Sequence, residues 1–206
     1  MARKLERYAG RADAILLAIP AGGIPVGCAI AKELRIPLDV AVVRKVQIPW
    51  NPEAGFGAVA WDGEVVLNAP LAKGLGLDDA SVEEAVSKAR RGVEERLRRF
   101  RGDRPPPDLR GKVAILVDDG LASGFTMLAA ARSVRKGGPK AVAIAVPTAS
   151  LDAIGLLAPE VDGLVCLNIR SGPFFAVADA YRRWYDLSDE EAERALEYAR
   201  SEASLP

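Results

Sequence analysis

Apolar runs alternate along the chain with segments whose apolar positions recur at helical spacing. The runs fall at residues 14–19, 38–43, 112–117, 140–146 and 161–167, and each predicts a buried strand. The helical segments fall at 24–34, 78–101, 124–136, 150–157 and 188–204. Apolar strands separated by helices are typical of a parallel sheet that is covered on both faces. We therefore predict an α/β fold built on an open, twisted, mostly parallel sheet with helices on both faces.

Residues 44–76 interrupt this alternation, because prolines and glycines are frequent there. Within this stretch, Asp62-Gly63 separates two short apolar segments and predicts a hairpin turn. We interpret the chain as a single domain, 1–206. Its predicted parts are a core of 1–45 and 77–167, a small hood with flexible elements from 46–76 and 168–187, and a C-terminal helix of 188–204.

Acidic and basic residues balance at 28 each, so we expect no global field that would draw the protein to nucleic acid or to a membrane. Arginines cluster between residues 90 and 101, but glutamates interleave with them, which favours a solvated helix face. No apolar run approaches the ~18–20 residues of a membrane span. The first residues lack a signal-peptide cleavage pattern, so we expect a cytoplasmic protein. Cys28 and Cys166 stand far apart in apolar surroundings and predict reduced thiols, with a disulfide as the alternative.

The chain contains no histidine. This excludes Ser-His-Asp and Cys-His catalysis and every metal site that depends on histidine ligands. Any chemistry must therefore use carboxylates, lysine or arginine, hydroxyl groups, backbone dipoles or a cation bound through oxygen.

Candidate ligand-binding groups follow the first two predicted strands. Pro20-Ala21-Gly22-Gly23 follows the first, and its adjacent glycines permit close approach of the backbone to a ligand. Arg44 and Lys45 follow the second, and two cations in that place suit a di- or polyphosphate. Because ligands of parallel sheets bind beyond the carboxyl ends of the strands, we expect both segments at one edge of the sheet.

The third strand ends in two acids, Asp118 and Asp119, and is followed by a small turn that leads into a helix. Backbone N–H groups from about Ala122 to Thr126, with the Ser123 and Thr126 hydroxyls, can hold one phosphate monoester at the helix N-terminus. The turn is neither a P-loop nor a dinucleotide fingerprint. A helix cap needs one acid, so the second acid predicts chemistry beside the phosphate site.

The segment 117–126, which reads VDDGLASGFT, resembles the signature of type I phosphoribosyltransferases for 5-phosphoribosyl-1-pyrophosphate (PRPP). In that signature an apolar strand and two acids precede [ST]-G-x-[ST]. The resemblance extends across nearly the whole chain to a less characterised branch of the family. The other matching motifs are Gly22-Gly23, Arg44-Lys45, Asn51-Pro52-Glu53, Gly57-Ala58-Val59 and Phe174-Phe175-Ala176-Val177.

The resemblance implies a role for each matching segment. Ala122, Ser123, Gly124, Phe125 and Thr126 would hold the 5′-phosphate, while Asp118 and Asp119 would accept hydrogen bonds from the ribose hydroxyls or lie near C1′. Ala21, Gly22 and Gly23 would form the pyrophosphate loop, often with a non-proline cis peptide, and Arg44 and Lys45 would contact the pyrophosphate. Mg²⁺ would bridge pyrophosphate and ribose oxygens through waters; no direct protein ligand is assigned, and Asp118 and Asp119 are the candidates. Family members are commonly homodimers.

Two further segments are assigned more loosely. Phe174 and Phe175 can stack on a planar acceptor base, or they can pack a small hood onto the core. Residues 46–60, which include Trp50, are the candidate mobile cover that would exclude water, and an ordinary surface connection is the alternative.

We hypothesise that the chain transfers the phosphoribosyl group of PRPP to a nitrogen acceptor, a nucleobase or a similar molecule, with Mg²⁺ as cofactor. One departure stands against this: the branch commonly reads P-R-G-G where this chain has Ala21, so a guanidinium contact to pyrophosphate is missing. A PRPP- or nucleotide-binding regulator that has lost catalysis is therefore the main alternative. An unrelated α/β phosphatase or nucleotide-binding fold is a further one.

Overall fold

The computed structural model describes residues 1–172 and 175–203, which form two sheets with helices around them. The strands of the main sheet are β1 (Ala14–Ala18), β2 (Leu38–Val40), β6 (Val113–Val117), β7 (Ala141–Ser150) and β8 (Gly163–Arg170). This sheet is entirely parallel and has the strand order β2-β1-β6-β7-β8. The predicted parallel α/β fold is thus confirmed.

Helices cover both faces of the main sheet, as the alternation of apolar segments predicts. One face is covered by α1 (Gly23–Leu34) and the other by α4 (Phe125–Lys136) and α5 (Leu151–Leu157). The helices α2 (Ala69–Gly74) and α3 (Asp79–Arg101) pack on the strands that lie between β2 and β6 in the sequence, and α6 (Asp189–Ala203) packs on α1 and α3. Short 3₁₀ helices lie at Ala2–Tyr8, Ala158–Glu160 and Val177–Ala180. Alternate residues of β1 supply the two halves of the core: Ile15 and Leu17 pack on the side of α4, and Leu16 packs on the side of α1.

The second apolar run is divided between two sheets. We predicted one strand over 38–43, but β2 ends at Val40 and a new strand begins at Val43. Val40, Ala41, Val42 and Val43 are all buried, because the chain passes from the main core into the packed base of the hood. A continuous apolar run therefore could not reveal that the chain changes sheets here.

The hood is a regular antiparallel sheet rather than the less regular stretch that we predicted over 44–76. Its strands are β3 (Val43–Ile48), β4 (Asn51–Ala60) and β5 (Val65–Leu67), and they follow one another in chain order. The predicted hairpin turn is confirmed between β4 and β5, where Gly63 has a φ of +87°. The hood sheet packs between α3 and α4. Residues 46–60 are therefore mostly a hairpin, and their role as a mobile cover stays a prediction.

Local signals in the sequence also set the ends of elements. The Asp78 side chain accepts a hydrogen bond from the Ser81 amide at 2.8 Å, so it caps α3 as its position suggested. Both cysteines are free thiols and each is half-buried. No helix within residues 1–172 and 175–203 is long and apolar enough to cross a membrane.

Candidate active site

The exits of β1 and β6 meet at the carboxyl edge of the main sheet, as predicted. These strands are parallel neighbours, and the Ile19 amide donates a hydrogen bond to the Val117 carbonyl at 2.9 Å. The loop after β1 consequently lies on the acids after β6. A Cβ at Gly22 would stand 1.8 Å from Asp119 Oδ2, and one at Gly23 would stand 2.6 Å from the Val117 carbonyl oxygen. Position 23 therefore requires glycine, because the clash is with backbone, whereas a side chain at position 22 would displace the Asp119 carboxylate.

The peptide bond between Pro20 and Ala21 is cis. The resemblance implied a non-proline cis peptide in this loop, and the structure contains one at its first bond. The backbone of Ala21, Gly22 and Gly23 is presented at the same sheet edge as the acid pair.

The acid pair is held in an environment that disfavours two negative charges. The Asp119 amide donates to Asp118 Oδ1 at 2.9 Å. Burial and the neighbouring Asp119 carboxylate raise the pKa of Asp118 well above its usual range, and burial also raises the pKa of Asp119. Arg96 opposes this effect by lowering the pKa of Asp118. Paired carboxylates with perturbed pKa values in a cleft are a mark of functional sites.

The turn after the acids exposes the start of α4. Ala122 and Ser123 are exposed, and no described side chain caps the first amides of α4. The turn is fixed from behind, since Ser150 Oγ donates to the Ala122 carbonyl at 2.6 Å. Gly124 has a φ of +81°, and a Cβ there would lie 3.3 Å from the Ala153 side chain. An open helix N-terminus behind a glycine turn suits a phosphate, as the sequence predicted.

Arg44 and Lys45 reach the site by a different route from the one predicted. We placed them at the exit of a strand of the main sheet, but both lie inside β3 of the hood. The Lys45 ammonium donates to the Glu53 carbonyl at 2.6 Å across the hairpin. Arg44 is half-buried against α3, and burial, with Arg96 as the next cause, lowers its pKa. The two cations thus face the site from the hood and not from the sheet edge.

A cleft of about 720 Å³ connects the hood with the sheet edge. It brings together Pro20 at the start of the loop after β1, the two hood cations, Asp118 of the acid pair and Thr126 at the start of α4. Its lining includes Pro20, Arg44, Lys45, Lys88, Arg96, Asp118 and Thr126. At least one residue of each predicted group therefore borders one space: Arg44 and Lys45 for pyrophosphate, Asp118 for ribose and Thr126 for the 5′-phosphate.

Two residues of the site escaped the sequence analysis. Arg96 was assigned to a solvated face of α3, but its side chain is only 17% exposed and it donates to the Pro20 carbonyl at 3.0 Å. The solvated interpretation is also wrong for Arg101, which is buried. Tyr181 donates from its hydroxyl to the Asp119 carbonyl at 2.7 Å, and burial, followed by the Asp119 charge, raises its pKa to about 12. The helical period of α3 could have placed Arg96 on an inner face, whereas no signal marked Tyr181.

The acceptor site proposed at Phe174 and Phe175 is only partly visible. Phe174 lies outside the described residues. Phe175 is half-buried and is not one of the described residues that line the cleft. Gln47, Ile48 and Pro49 of the hood line the cleft instead. Stacking of a base on the phenylalanines therefore stays a prediction.

The chemistry of the donor groups fits a magnesium ion that is carried by its substrate. In residues 1–172 and 175–203, no group of three or more His, Cys, Asp or Glu side chains gathers to hold a metal ion. The pair of carboxylates offers oxygen ligands, which Mg²⁺ prefers, but too few for a complete shell. Asp118 and Asp119 would thus share the ion with substrate oxygens and waters.

Comparison with known proteins agrees with this arrangement. A family model described as "Phosphoribosyl transferase domain" matches residues 1–169. The chain belongs to the phosphoribosyl transferase family. The acid pair, the glycine loop and the open turn before α4 all lie within the part that matches this family.

Individual relatives support the same conclusion. "Putative phosphoribosyl transferase Rv0571c" of Mycobacterium tuberculosis (strain H37Rv) is 39% identical over 199 residues, which cover 97% of this chain and 44% of the relative. The same values hold for "Putative phosphoribosyl transferase MT0597" of strain CDC 1551. The chain thus spans less than half the length of these curated relatives.

A solved relative shares the fold over nearly its full length. This phosphoribosyl transferase family member superposes on the crystal structure of TT1426 from Thermus thermophilus with a TM-score of 0.73, and the two sequences are 35% identical. The match covers 95% of this chain and 91% of that chain.

Proposed function

We propose that the protein is an Mg²⁺-dependent phosphoribosyltransferase that moves the phosphoribosyl group of PRPP to a ring nitrogen of a nucleobase and releases pyrophosphate. The observation that carries this proposal is the contact between two strand exits. The glycine loop after β1 lies directly on Asp118 and Asp119, and the open N-terminus of α4 follows a few residues later. Such a site suits a sugar with anionic groups at both ends.

The reaction exchanges one bond at C1′ for another. The bond from C1′ to the pyrophosphate oxygen breaks, and its electron pair leaves with pyrophosphate. A nitrogen lone pair of the acceptor forms the new C1′–N bond, and the N–H proton passes to pyrophosphate or to water. As in glycoside cleavage, positive charge develops at C1′ and the ring oxygen in the transition state.

The residues of the cleft divide this work among them. The carboxylates of Asp118 and Asp119 stabilise the developing positive charge and accept hydrogen bonds from the ribose hydroxyls. The negative charge of the departing pyrophosphate is stabilised by Arg44, by Lys45 and by the amides of residues 21–23. The amides and hydroxyls of 122–126 fix the 5′-phosphate. When bound, Mg²⁺ would supply further positive charge at the pyrophosphate oxygens.

A regulator that binds PRPP without turnover is the second candidate. Ala21 favours it, because this loop has no cationic side chain of its own. The acid pair favours the enzyme, because a protein that only recognises phosphates gains little from two half-buried carboxylates beside them. The nucleobase acceptor, Mg²⁺, the homodimer and the cytoplasmic location all stay predictions.

The deciding experiment measures pyrophosphate release from PRPP and Mg²⁺ with a panel of nucleobases. We expect release with at least one base, and none when Mg²⁺ is replaced by a chelator. Calorimetric titration with PRPP provides the parallel binding measurement. Tight PRPP binding without release for any base would contradict the enzyme and support the regulator, and absence of both would contradict both proposals.

A further inference from the structure

Arg96 joins parts of the molecule that are far apart in sequence. Its Nη1 donates to the Pro20 carbonyl at 3.0 Å, and its Nε and Nη2 donate to the Asp189 carboxylate at 3.0 and 2.7 Å. Arg96 lies on α3, Pro20 begins the loop after β1, and Asp189 begins α6. One guanidinium therefore fixes the loop to two helices at once.

The surroundings of Arg96 show that this contact is built into the interior. The side chains of Arg96 and Asp189 are 17% and 28% exposed. The planar fork of arginine suits this pattern, because it can serve a carboxylate with two donors and a carbonyl with a third. A lysine has a single ammonium group, which cannot reproduce the fixed geometry of the three hydrogen bonds that the guanidinium donates.

A second arginine on the same helix makes an informative contrast. Arg99, three residues later, pairs with Glu190 across the same two helices, but its partner is 60% exposed. The described contacts of Arg99 do not include the loop after β1. Like Arg99, Arg96 links α3 to α6, but among these described contacts only Arg96 also donates a hydrogen bond to the loop after β1.

We propose that Arg96 is a positioning residue, which holds the loop at residues 20–23 in the geometry that receives pyrophosphate. This rests on the proposed function, because the pyrophosphate role of the loop belongs to it. Arg96 also borders the cleft with Asp118, so its positive charge lies beside the path of the leaving group. Helix α6 becomes part of the site through Asp189, although its own residues contact no predicted PRPP group.

The test compares two ligands that engage different ends of the cleft. Inorganic pyrophosphate with Mg²⁺ reports on the loop, and ribose 5-phosphate reports on the turn at 122–126. For Arg96→Gln we expect the pyrophosphate Kd to rise about 10- to 100-fold, as for loss of a charge-assisted hydrogen bond. The Kd of ribose 5-phosphate should change much less than that of pyrophosphate, since the hydrogen bonds of Arg96 go to Pro20 and Asp189 and not to the turn at 122–126. In turnover with PRPP, KM should rise more than kcat falls.

Two further variants separate positioning from simpler roles. Arg99→Gln breaks the neighbouring pair between α3 and α6, and we expect it to change neither Kd. Arg96→Lys keeps the positive charge but not the fork, and we expect pyrophosphate binding to stay weakened. This variant also preserves the test where the glutamine variant does not fold.

The outcomes decide the inference independently of turnover. Equal losses for both ligands would mean that Arg96 only stabilises the fold, and no loss for either would mean that the loop does not need it. Full recovery in Arg96→Lys would show that charge alone suffices. Each of these results overturns the inference. Wild-type protein that binds pyrophosphate but turns over no base would instead refute the enzyme proposal and leave the positioning role testable.

Discussion

At the scale of single residues, the acid pair must ionise in a place that disfavours negative charge in order to stabilise the positive charge proposed at C1′. Asp118 and Asp119 are neighbours in the sequence, the glycine loop lies directly on them, and their burial opposes ionisation. A carboxylate in such a place stabilises a nearby positive charge more strongly than one in water, because its surroundings are already oriented and screen it less. The proposed chemistry at C1′ explains why the protein keeps two adjacent carboxylates in a place where their ionisation lowers its stability.

The first prediction concerns the loss of either negative charge. Asp118→Asn and Asp119→Asn should each lower kcat about 10²-fold or more, because a preorganised charge is lost at the reacting centre. The Kd of PRPP should change much less, since the phosphates are held by other groups. Steady-state kinetics and calorimetry measure the two effects. Asp103→Asn, on the exposed linker after α3, is the matched control and should be silent.

The second prediction is that Asp118→Asn stabilises the fold. Because the folded protein raises the pKa of Asp118, its ionised form costs stability at neutral pH, and asparagine removes that cost while its Oδ1 can still accept from the Asp119 amide. We expect a gain within the ~0.5–2 kcal/mol of single stabilising substitutions. In a domain of this size, this means roughly 2–4 °C in Tm per kcal/mol.

The pH dependence follows from the same direction of shift. An acid whose pKa is raised by folding costs no stability below its unfolded pKa. The cost to the free energy of unfolding grows as the pH rises from the unfolded pKa toward the folded pKa. The Tm difference between Asp118→Asn and the wild type should therefore be larger at neutral pH and shrink as pH falls toward about 4. A difference that is independent of pH would contradict the assigned cause.

At the scale of elements, the site is an arrangement of turns held by neighbouring strands and helices. The turn at 122–126 depends on Gly124, whose φ of +81° lies in the left-handed region and whose missing Cβ leaves room for α5. An alanine there would strain the backbone and press on Ala153. The open amides of α4 would move with the turn.

The third prediction compares two glycines near this turn. Gly124→Ala should lower stability by about 1–3 kcal/mol and weaken ribose 5-phosphate binding, because its conformation disfavours a side chain. Gly155→Ala, in α5, has no atom within 4 Å of the new Cβ and should be neutral or stabilise by up to ~1 kcal/mol. Chemical denaturation and calorimetry measure both. Equal effects of the two substitutions would show that the turn geometry is not what matters.

The elements also show where sequence reasoning was sufficient. The apolar runs and the acid-rich turn predicted the parallel sheet and the meeting of the loop at 20–23 with Asp118, because both follow from local pattern and from the polarity of parallel strands. The division of residues 38–43 was not predictable, since a buried run looks the same in one strand or in two. The helical period of α3 indicates an inner face for Arg96, but its partners Pro20 and Asp189 could not be predicted, since both lie far from it in the sequence.

At the scale of the whole molecule, the main sheet has two edge strands within the described residues, and the edge opposite β2 carries exposed apolar side chains. This edge is β8, whose pairing partner is β7 on one side only. Leu167 and Ile169 are 49% and 51% exposed, and their spacing of two puts them on one face of the strand. Leu151, which follows the paired end of β7, is 54% exposed. Exposed apolar groups on an open edge are typical of an interface or need protection from aggregation.

The fourth prediction is that this patch forms the homodimer implied by the family resemblance. A specific dimer needs about 1,200–2,000 Å² of buried surface, and a strand edge with apolar neighbours can form its centre. The double substitution Leu167→Glu and Ile169→Glu should produce a folded monomer, because each side chain is half exposed and surface changes usually cost within about 0.5 kcal/mol. Leu71→Glu, at an exposed apolar residue of α2, is the control and should leave the dimer intact.

Sedimentation velocity over a range of concentrations measures the oligomeric state of all three proteins. A wild-type protein that stays monomeric, or a double variant that stays dimeric, would contradict this assignment. The candidate active site lies between the hood and the sheet edge of one chain, so the monomeric variant should retain PRPP binding. Loss of PRPP binding together with the dimer would instead mean that the site depends on the partner, because no residue of the cleft lies on β8.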